Sequence, residues 1–292
     1  MNIMAEPYVY ALENEVRTDF SGYNQLTRFY NTCLKMPDKQ FFHIDFSKIN
    51  WFDGNMCALL WAMIYDLYQK NNQSFSTDLE IIQGKFDVLL RNGFLKSDTQ
   101  VHDDRKSTVP LRLFDCQNKE GFCDYVNNTL LNHRGMPDHL DDALRERISE
   151  DLLELFCNIQ YHANTKDFLF VGGQYYPGKG RLIFTMVDLG EGFLPRIARA
   201  TKGLISNDLD AISWALKGNS TKLYLENCPG GLGLKNIYKY CTENQGVLQV
   251  VSGGGFWSSD MDNTIFEGGR TLSCPFRGTT INLIFQNFPT KF

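Results

Sequence analysis

Apolar and polar residues change their spacing several times along the chain, and each change marks a predicted element. Phe41-Phe42-His43-Ile44-Asp45-Phe46 has apolar residues on both faces, which predicts a buried strand. Asp53-Gly54-Asn55 is a turn signal. Leu59, Leu60, Met63, Ile64 and Leu67 then recur at helical spacing and predict a helix over 56–67. Leu79-Glu80-Ile81-Ile82 reads as another short strand. Phe86, Leu89 and Leu90 suggest a short helix that Gly93 ends as a C-cap. Strand, helix, strand, helix is the pattern of a small α/β unit. Residues 96–108 are polar and charged without an apolar period, and read as a linker.

Beyond it, 109–114 resumes as a strand, and Phe122, Val126 and Leu130 predict a helix. In a longer helix, Leu140, Leu144, Ile148, Leu152, Phe156, Ile159 and Ala163 form one apolar stripe. Asp138 and Asp141-Asp142 lie near its start, where the helix dipole favours carboxylates. Strands over 168–172 and 181–187 flank the turn Pro177-Gly178-Lys179-Gly180. Residues 192–230 look irregular, with a helix near 209–216. A short helix opens at about Leu234, and 247–251 and 280–285 are closing strands. Gly253-Gly254-Gly255 reads as a flexible loop. The predicted class is α/β (α+β) in two domains, 1–100 and 108–292.

Composition narrows the functions. The 292 residues carry a net charge of −5, and the cations are scattered along the sequence, which argues against a nucleic-acid surface. Residues 1–15 have no basic start followed by an apolar run, so neither a signal nor a transit peptide is expected, and no stretch is long and apolar enough to cross a bilayer. The eight cysteines include no CxxC pair, and Cys57 and Cys157 fall in helical patterns where cysteine behaves as a small hydrophobe. The cytosol is the expected compartment.

Three segments carry candidate chemistry. Glu154 and Asn158, four apart on the long helix, share a face at the edge of the apolar stripe. A carboxylate and an amide there could hold a water and a Mg²⁺ beside a phosphate chain, or be a solvated helix surface. Asp188-Leu189-Gly190-Glu191-Gly192 ends an apolar strand. A carboxylate there can accept a hydrogen bond from an exocyclic amine, and Gly190 and Gly192 let backbone approach a flat base; an ordinary turn reads equally well. The third segment, Pro229-Gly230-Gly231-Leu232-Gly233-Leu234, leads glycines into a helix N-terminus, whose free N–H groups suit phosphate oxygens.

In this order, Glu154-x-x-x-Asn158, Asp188-x-Gly190-x-Gly192 and Gly231-x-Gly233-Leu234 resemble the N, G1 and G2 boxes of the GHKL superfamily of ATPases and kinases, over about residues 108–292. The preceding layout is most similar to the anti-sigma-factor serine kinases. The resemblance implies a Bergerat fold, with helices packed on a mixed, mostly antiparallel sheet, that binds ATP and Mg²⁺. Asn158 would ligand the metal, Glu154 would act as general base, and Asp188 would hold the adenine amine. Gly190 and Gly192 would shape the base pocket, and Gly231, Gly233 and Leu234 the phosphate loop. Residues 192–230 would form a lid, with Ser220 and Thr221 inside it. The N-terminal unit resembles a STAS domain in 42–47, in Trp51-Phe52-Asp53 and in 88–95. Where that family has Asp-Ser or Asp-Thr, this chain has Asp53-Gly54-Asn55, without the phosphoacceptor hydroxyl.

These resemblances imply a cytosolic, nucleotide-dependent regulator that phosphorylates a protein partner or hydrolyses ATP slowly; a homodimer is compatible with the same reading. The competing reading is a silent ATP-binding scaffold whose STAS-like unit binds a partner. A histidine kinase is disfavoured because the region before Thr108 reads as α/β rather than as a helical hairpin. A chaperone or gyrase cycle is disfavoured because little sequence follows the third box for a transducer domain.

Overall fold

The computed structural model describes residues 6–96, 101–162, 167–219, 221, 232–261 and 269–287. The N-terminal half holds β1 (Tyr8–Ala11), β2 (Asn14–Val16), α1 (Phe20–Leu34), β3 (Phe41–Asp45), β4 (Ile49–Phe52), α2 (Cys57–Asn71), β5 (Ser74–Ser76), α3 (Leu79–Lys85) and α4 (Val88–Arg91). Its strands pair in parallel, as β1-β3-β5 and β2-β4. The C-terminal half holds β6 (Thr108–Phe114), α5 (Lys119–Tyr125), α6 (Asp142–His162), β7 (Leu169–Tyr176), β8 (Arg181–Asp188), α7 (Phe193–Ala200), α8 (Asp208–Leu216), α9 (Leu232–Glu243), β9 (Val247–Ser258) and β10 (Gly269–Gln286). Its five strands form one antiparallel sheet ordered β6-β7-β8-β10-β9. The architecture is α/β, and no described helix is long and apolar enough to cross a membrane.

This sheet is buried on both faces, which is why β7 and β8 are near-continuous apolar runs. Alternation along each strand sorts the side chains. Val171, Phe184 and Met186 face a core shared with α5, α6, α8 and α9, whereas Phe170 and Val187 belong to the core of the N-terminal half. On that second face α2 is apolar nearly all round, as a helix covered on several sides must be. Its Trp61 and Tyr65 rings lie 6.1 and 5.4 Å from the Phe170 ring. The five-stranded sheet therefore has the N-terminal half on one face and the C-terminal helices on the other.

The seam between the halves is also polar. Asp53 takes the Thr18 amide at 2.6 Å and hydroxyl at 2.9 Å on one oxygen, and Trp51 Nε1 and the Tyr176 hydroxyl at 2.6 and 2.7 Å on the other. Asn55 donates to the Thr185 hydroxyl, which donates to Asn282 Oδ1; Asn282 Nδ2 in turn bonds Tyr23 and Gln249. Gln249 returns to the Thr18 carbonyl. Farther along β10, Arg277 joins Asp66 of α2, which also accepts from Tyr30.

Several expectations need correction. Residues 79–82 are helical rather than a strand, because Asp78 caps them by accepting from the amides of Glu80 and Ile81; the strand is β5, just upstream. Gly253-Gly254-Gly255 lies within β9 instead of a loop, and the Gly254 amide is held by Asp208 at 2.8 Å. The stretch after Gly192 contains two helices, α7 as well as α8. Within 96–108, residues 101–107 are pinned: Asp103 accepts from the Ser107 and Thr108 amides and pairs with Arg91 at 2.7 Å. Asp141 caps α6, so Leu140 precedes the helix.

Asn282 is fully buried and joins three partners. Asn282→Ala would leave several polar groups unpaired, at a cost on the order of 3 kcal/mol. Urea unfolding should show a lower midpoint with an unchanged slope.

Candidate functional site

One cleft lies on the face of the sheet that carries the C-terminal helices. Leu155, Asn158 and Ile159 of α6 form one wall, with Met186 and Asp188 of β8 and Thr279 and Ile281 of β10 as the floor. Phe193, Arg196, Ile197, Trp214 and Ala215 of α7 and α8 form the opposite wall, and Leu234 of α9, Gly192, Asn219 and Thr221 complete it. It encloses about 140 Å³, and about 960 Å³ counted out to its open mouth, which suits a small organic ligand.

Asp188 sits at the end of β8, paired with Thr279. It is buried, and its Oδ1 accepts from the Gly190 amide at 2.8 Å. Burial pushes its carboxyl up to about 6, although Gly190, Thr279 and Arg277 all pull the other way. Thr279 can stand beside it because Gly278 precedes it with φ +108; a Cβ at Gly278 would fall on the Asp188 carbonyl oxygen. Gly192 has φ +76 and starts α7, and a Cβ there would come within 2.9 Å of the Ser252 hydroxyl.

Asn158 Oδ1 is buried and has no hydrogen-bond partner among the described residues. Such an atom costs about 1–3 kcal/mol unless something supplies a donor or a cation. An amide oxygen in a cleft is a ligand type that Mg²⁺ accepts, with water and substrate oxygens completing the shell. Asn158 is thus a single oxygen donor compatible with that ion, and the described residues hold no cluster of three or more His, Cys, Asp or Glu suited to a metal.

Other expected residues have different surroundings. Glu154 Oε1 accepts the Leu232 amide at 3.1 Å, so this carboxylate caps the start of α9 and does not line the cleft. Gly233 lets α9 approach α6: a Cβ would come within 3.0 Å of the Asp151 carbonyl and 3.1 Å of Glu154 Cβ. Gly190 serves through its amide on Asp188. Gly231 and Ser220 lie outside the described residues. Thr221 accepts from Arg196 Nε at 2.5 Å.

Several residues escaped sequence reasoning. Asp151, one turn before Glu154, accepts Asn236 of α9 at 2.9 Å, and burial pushes its carboxyl up to about 6, with Glu154 and Glu150 adding to the effect. Its i, i+3, i+7 relation to Glu154 and Asn158 was a readable signal. Thr279 had one too, a Gly-Thr step in a closing strand. Arg196 and Trp214 had none, since α7 and α8 have no counterpart in the motifs. Arg196 is the one cation lining this cleft among the described residues, and burial pulls its pKa below the usual range.

Apolar walls around a buried acceptor, with an orphaned amide oxygen and a guanidinium in the same cleft, can take a flat heterocycle bearing a donor and an anionic tail. No family model matches the chain, and no curated protein matches it.

The raised pKa of Asp188 has a definite sign. Its carboxyl stays protonated to about pH 6 in the folded chain but ionises near 3.8 when free. Its contribution to stability is therefore complete below about pH 4 and is lost as pH rises through 6. Asp151 acts in the same direction. Asp188→Asn should flatten the fall in stability between pH 4 and 6, measured by urea midpoints across that window. An unchanged slope would contradict the assignment.

Proposed function

We propose that the chain is a Mg-ATP-binding regulator of the GHKL class, with the α6–β8–α9 cleft as its nucleotide site. The observation that carries this reading is the pairing of a buried acceptor, Asp188, with an orphaned amide oxygen, Asn158, in one apolar-walled cleft. In this reading Asp188 accepts the exocyclic amine of adenine, and Met186, Ile281 and Leu234 pack against the ring. Asn158 ligands Mg²⁺, which neutralises charge on the phosphate chain. Arg196 would supply the cation for phosphate oxygens. The N-terminal half is a STAS-like unit through which a protein partner is regulated.

Catalysis depends on Glu154. As kinase or ATPase, the chain needs this carboxylate to take a proton from the attacking hydroxyl or water. Its bond to the Leu232 amide favours the second reading, a nucleotide-binding scaffold without turnover, for this conformation. Opening the start of α9 would release the carboxylate.

Two measurements test these readings. Mg-ATP should raise the melting temperature by mass action, and Asp188→Asn should weaken binding by about 1.5–3 kcal/mol through loss of a charge-assisted hydrogen bond. Unaltered affinity in calorimetry removes the base-pocket assignment. With γ-labelled ATP, label on a partner marks a kinase and released phosphate marks an ATPase. Glu154→Gln should abolish either activity while binding persists; if turnover is absent from wild type as well, the scaffold reading stands.

A further inference from the structure

The cations are scattered in the sequence, but the fold brings several to one end of the seam. A cleft of about 560 Å³ opens there, lined on the N-terminal side by Trp51, Phe86 and Lys85, and on the other by Arg105, Arg134 and Tyr175. Arg91 also lines it but is neutralised by Asp87 and Asp103 at 3.0 and 2.7 Å. Among the described residues of the lining, Asp87 is the one carboxylate. Lys85, Arg105 and Arg134 have no carboxylate within ion-pair distance among the described residues, and with Arg91 and its two carboxylates included the cluster keeps a positive balance in a chain of net charge −5. They come from the end of α3, the segment before β6 and the segment before α6.

Like charges held around a concave wall repel one another and focus a positive potential into it. The lining also has aromatic faces: Trp51 is 38% exposed, and the Arg134 guanidinium lies 5.3 Å from the Tyr175 ring centre. The cleft sits at the β7–β8 turn, whereas Asp188 closes the far end of β8, eight residues long. At the usual rise the two sites are about 23 Å apart along the strand. Beneath the cleft, Gln174 bonds the Gly54 amide and the Tyr176 hydroxyl, and Tyr176 bonds Asp53.

We propose that this cleft is a second ligand site, for a small phosphorylated anion that bridges the two halves of the chain through Lys85, Arg105 and Arg134. The site stands independently of the nucleotide reading of the first cleft. A bound anion would neutralise the three cations and tie the N-terminal half to the sheet, so the ligand should stabilise the whole chain.

The test uses inorganic pyrophosphate on the full chain, in EDTA and at low ionic strength so that a Mg²⁺-dependent site is silent. Wild type should show a rise in melting temperature and saturable binding by calorimetry. Lys85 and Arg105 are exposed, so Lys85→Glu with Arg105→Glu should keep the unliganded melting temperature while weakening binding about tenfold or more. Asn158→Ala should bind pyrophosphate as wild type does. The proposal is overturned by no response in wild type, by an equal response in the double variant, or by loss of the response in Asn158→Ala. Binding of a short single-stranded oligonucleotide with none of pyrophosphate also overturns it, in favour of a polymer surface.

Discussion

Strands β8 and β10 run antiparallel with Asp188 opposite Thr279 and Thr185 opposite Asn282. Because side chains alternate, this one register assigns the two faces of the sheet different tasks. Met186, Asp188, Thr279 and Ile281 turn toward the cleft. Thr185, Val187 and Asn282 turn toward the N-terminal half. A slip of one residue would put the network into the cleft and the acceptor into the seam. The register shifts between β10 and β9 at Phe276 and Thr279, flanking Gly278, so the irregularity falls where Thr279 must meet Asp188. Bulges of this kind commonly re-aim a side chain beside a site.

The seam shows why one end of the N-terminal half sits at a defined place on the sheet. An apolar contact alone tolerates sliding, whereas a closed polar network loses bonds with any displacement. Asp53 has four donors converging on it from three parts of the chain, and Gln249, Asn282 and Thr185 continue the series across the sheet. The turn Asp53-Gly54-Asn55 is therefore an anchor buried against β7 and β8. Space is short as well: a Cβ on Gly54 would come within 2.7 Å of the Gln174 amide oxygen and of Val88.

Elements with one-sided or two-sided apolar patterns were legible in the sequence, among them β3, α2, α6, β7 and β8, because burial imposes its period on them directly. Residues 79–82 misled because an Ile-Ile pair suits either a strand or a helix, and the deciding bond belongs to Asp78. The glycine triplet misled because composition says nothing of pairing; β10 supplies the partner strand at Gly253 and Gly255. Of the cleft residues, Asp188, Asn158 and Gly192 were readable from position and spacing and Leu234 through the family resemblance, and the chain brings them to one cleft. The α7–α8 wall was not, since Arg196 and Trp214 acquire meaning only through packing. Nor was the cation cluster, whose members lie tens of residues apart.

In the cleft, two features oppose folding in the absence of a ligand. A carboxyl whose burial pushes it up to about 6 resists the charge it would carry near neutrality, and a buried amide oxygen has no donor among the described residues. An apolar residue at 188 would remove that charge but leave the Gly190 amide without its acceptor, so the carboxyl serves the turn after β8 as well as the cleft. A single ligand relieves both at once if it presents a hydrogen-bond donor to Asp188 and either a donor or a cation to Asn158, with an apolar body between them. The purine nucleotide and divalent ion proposed above are one combination that would meet that requirement. A purely apolar ligand would fill the walls but leave both polar atoms in their unfavourable state, and an inorganic anion would add repulsion to an ionised Asp188.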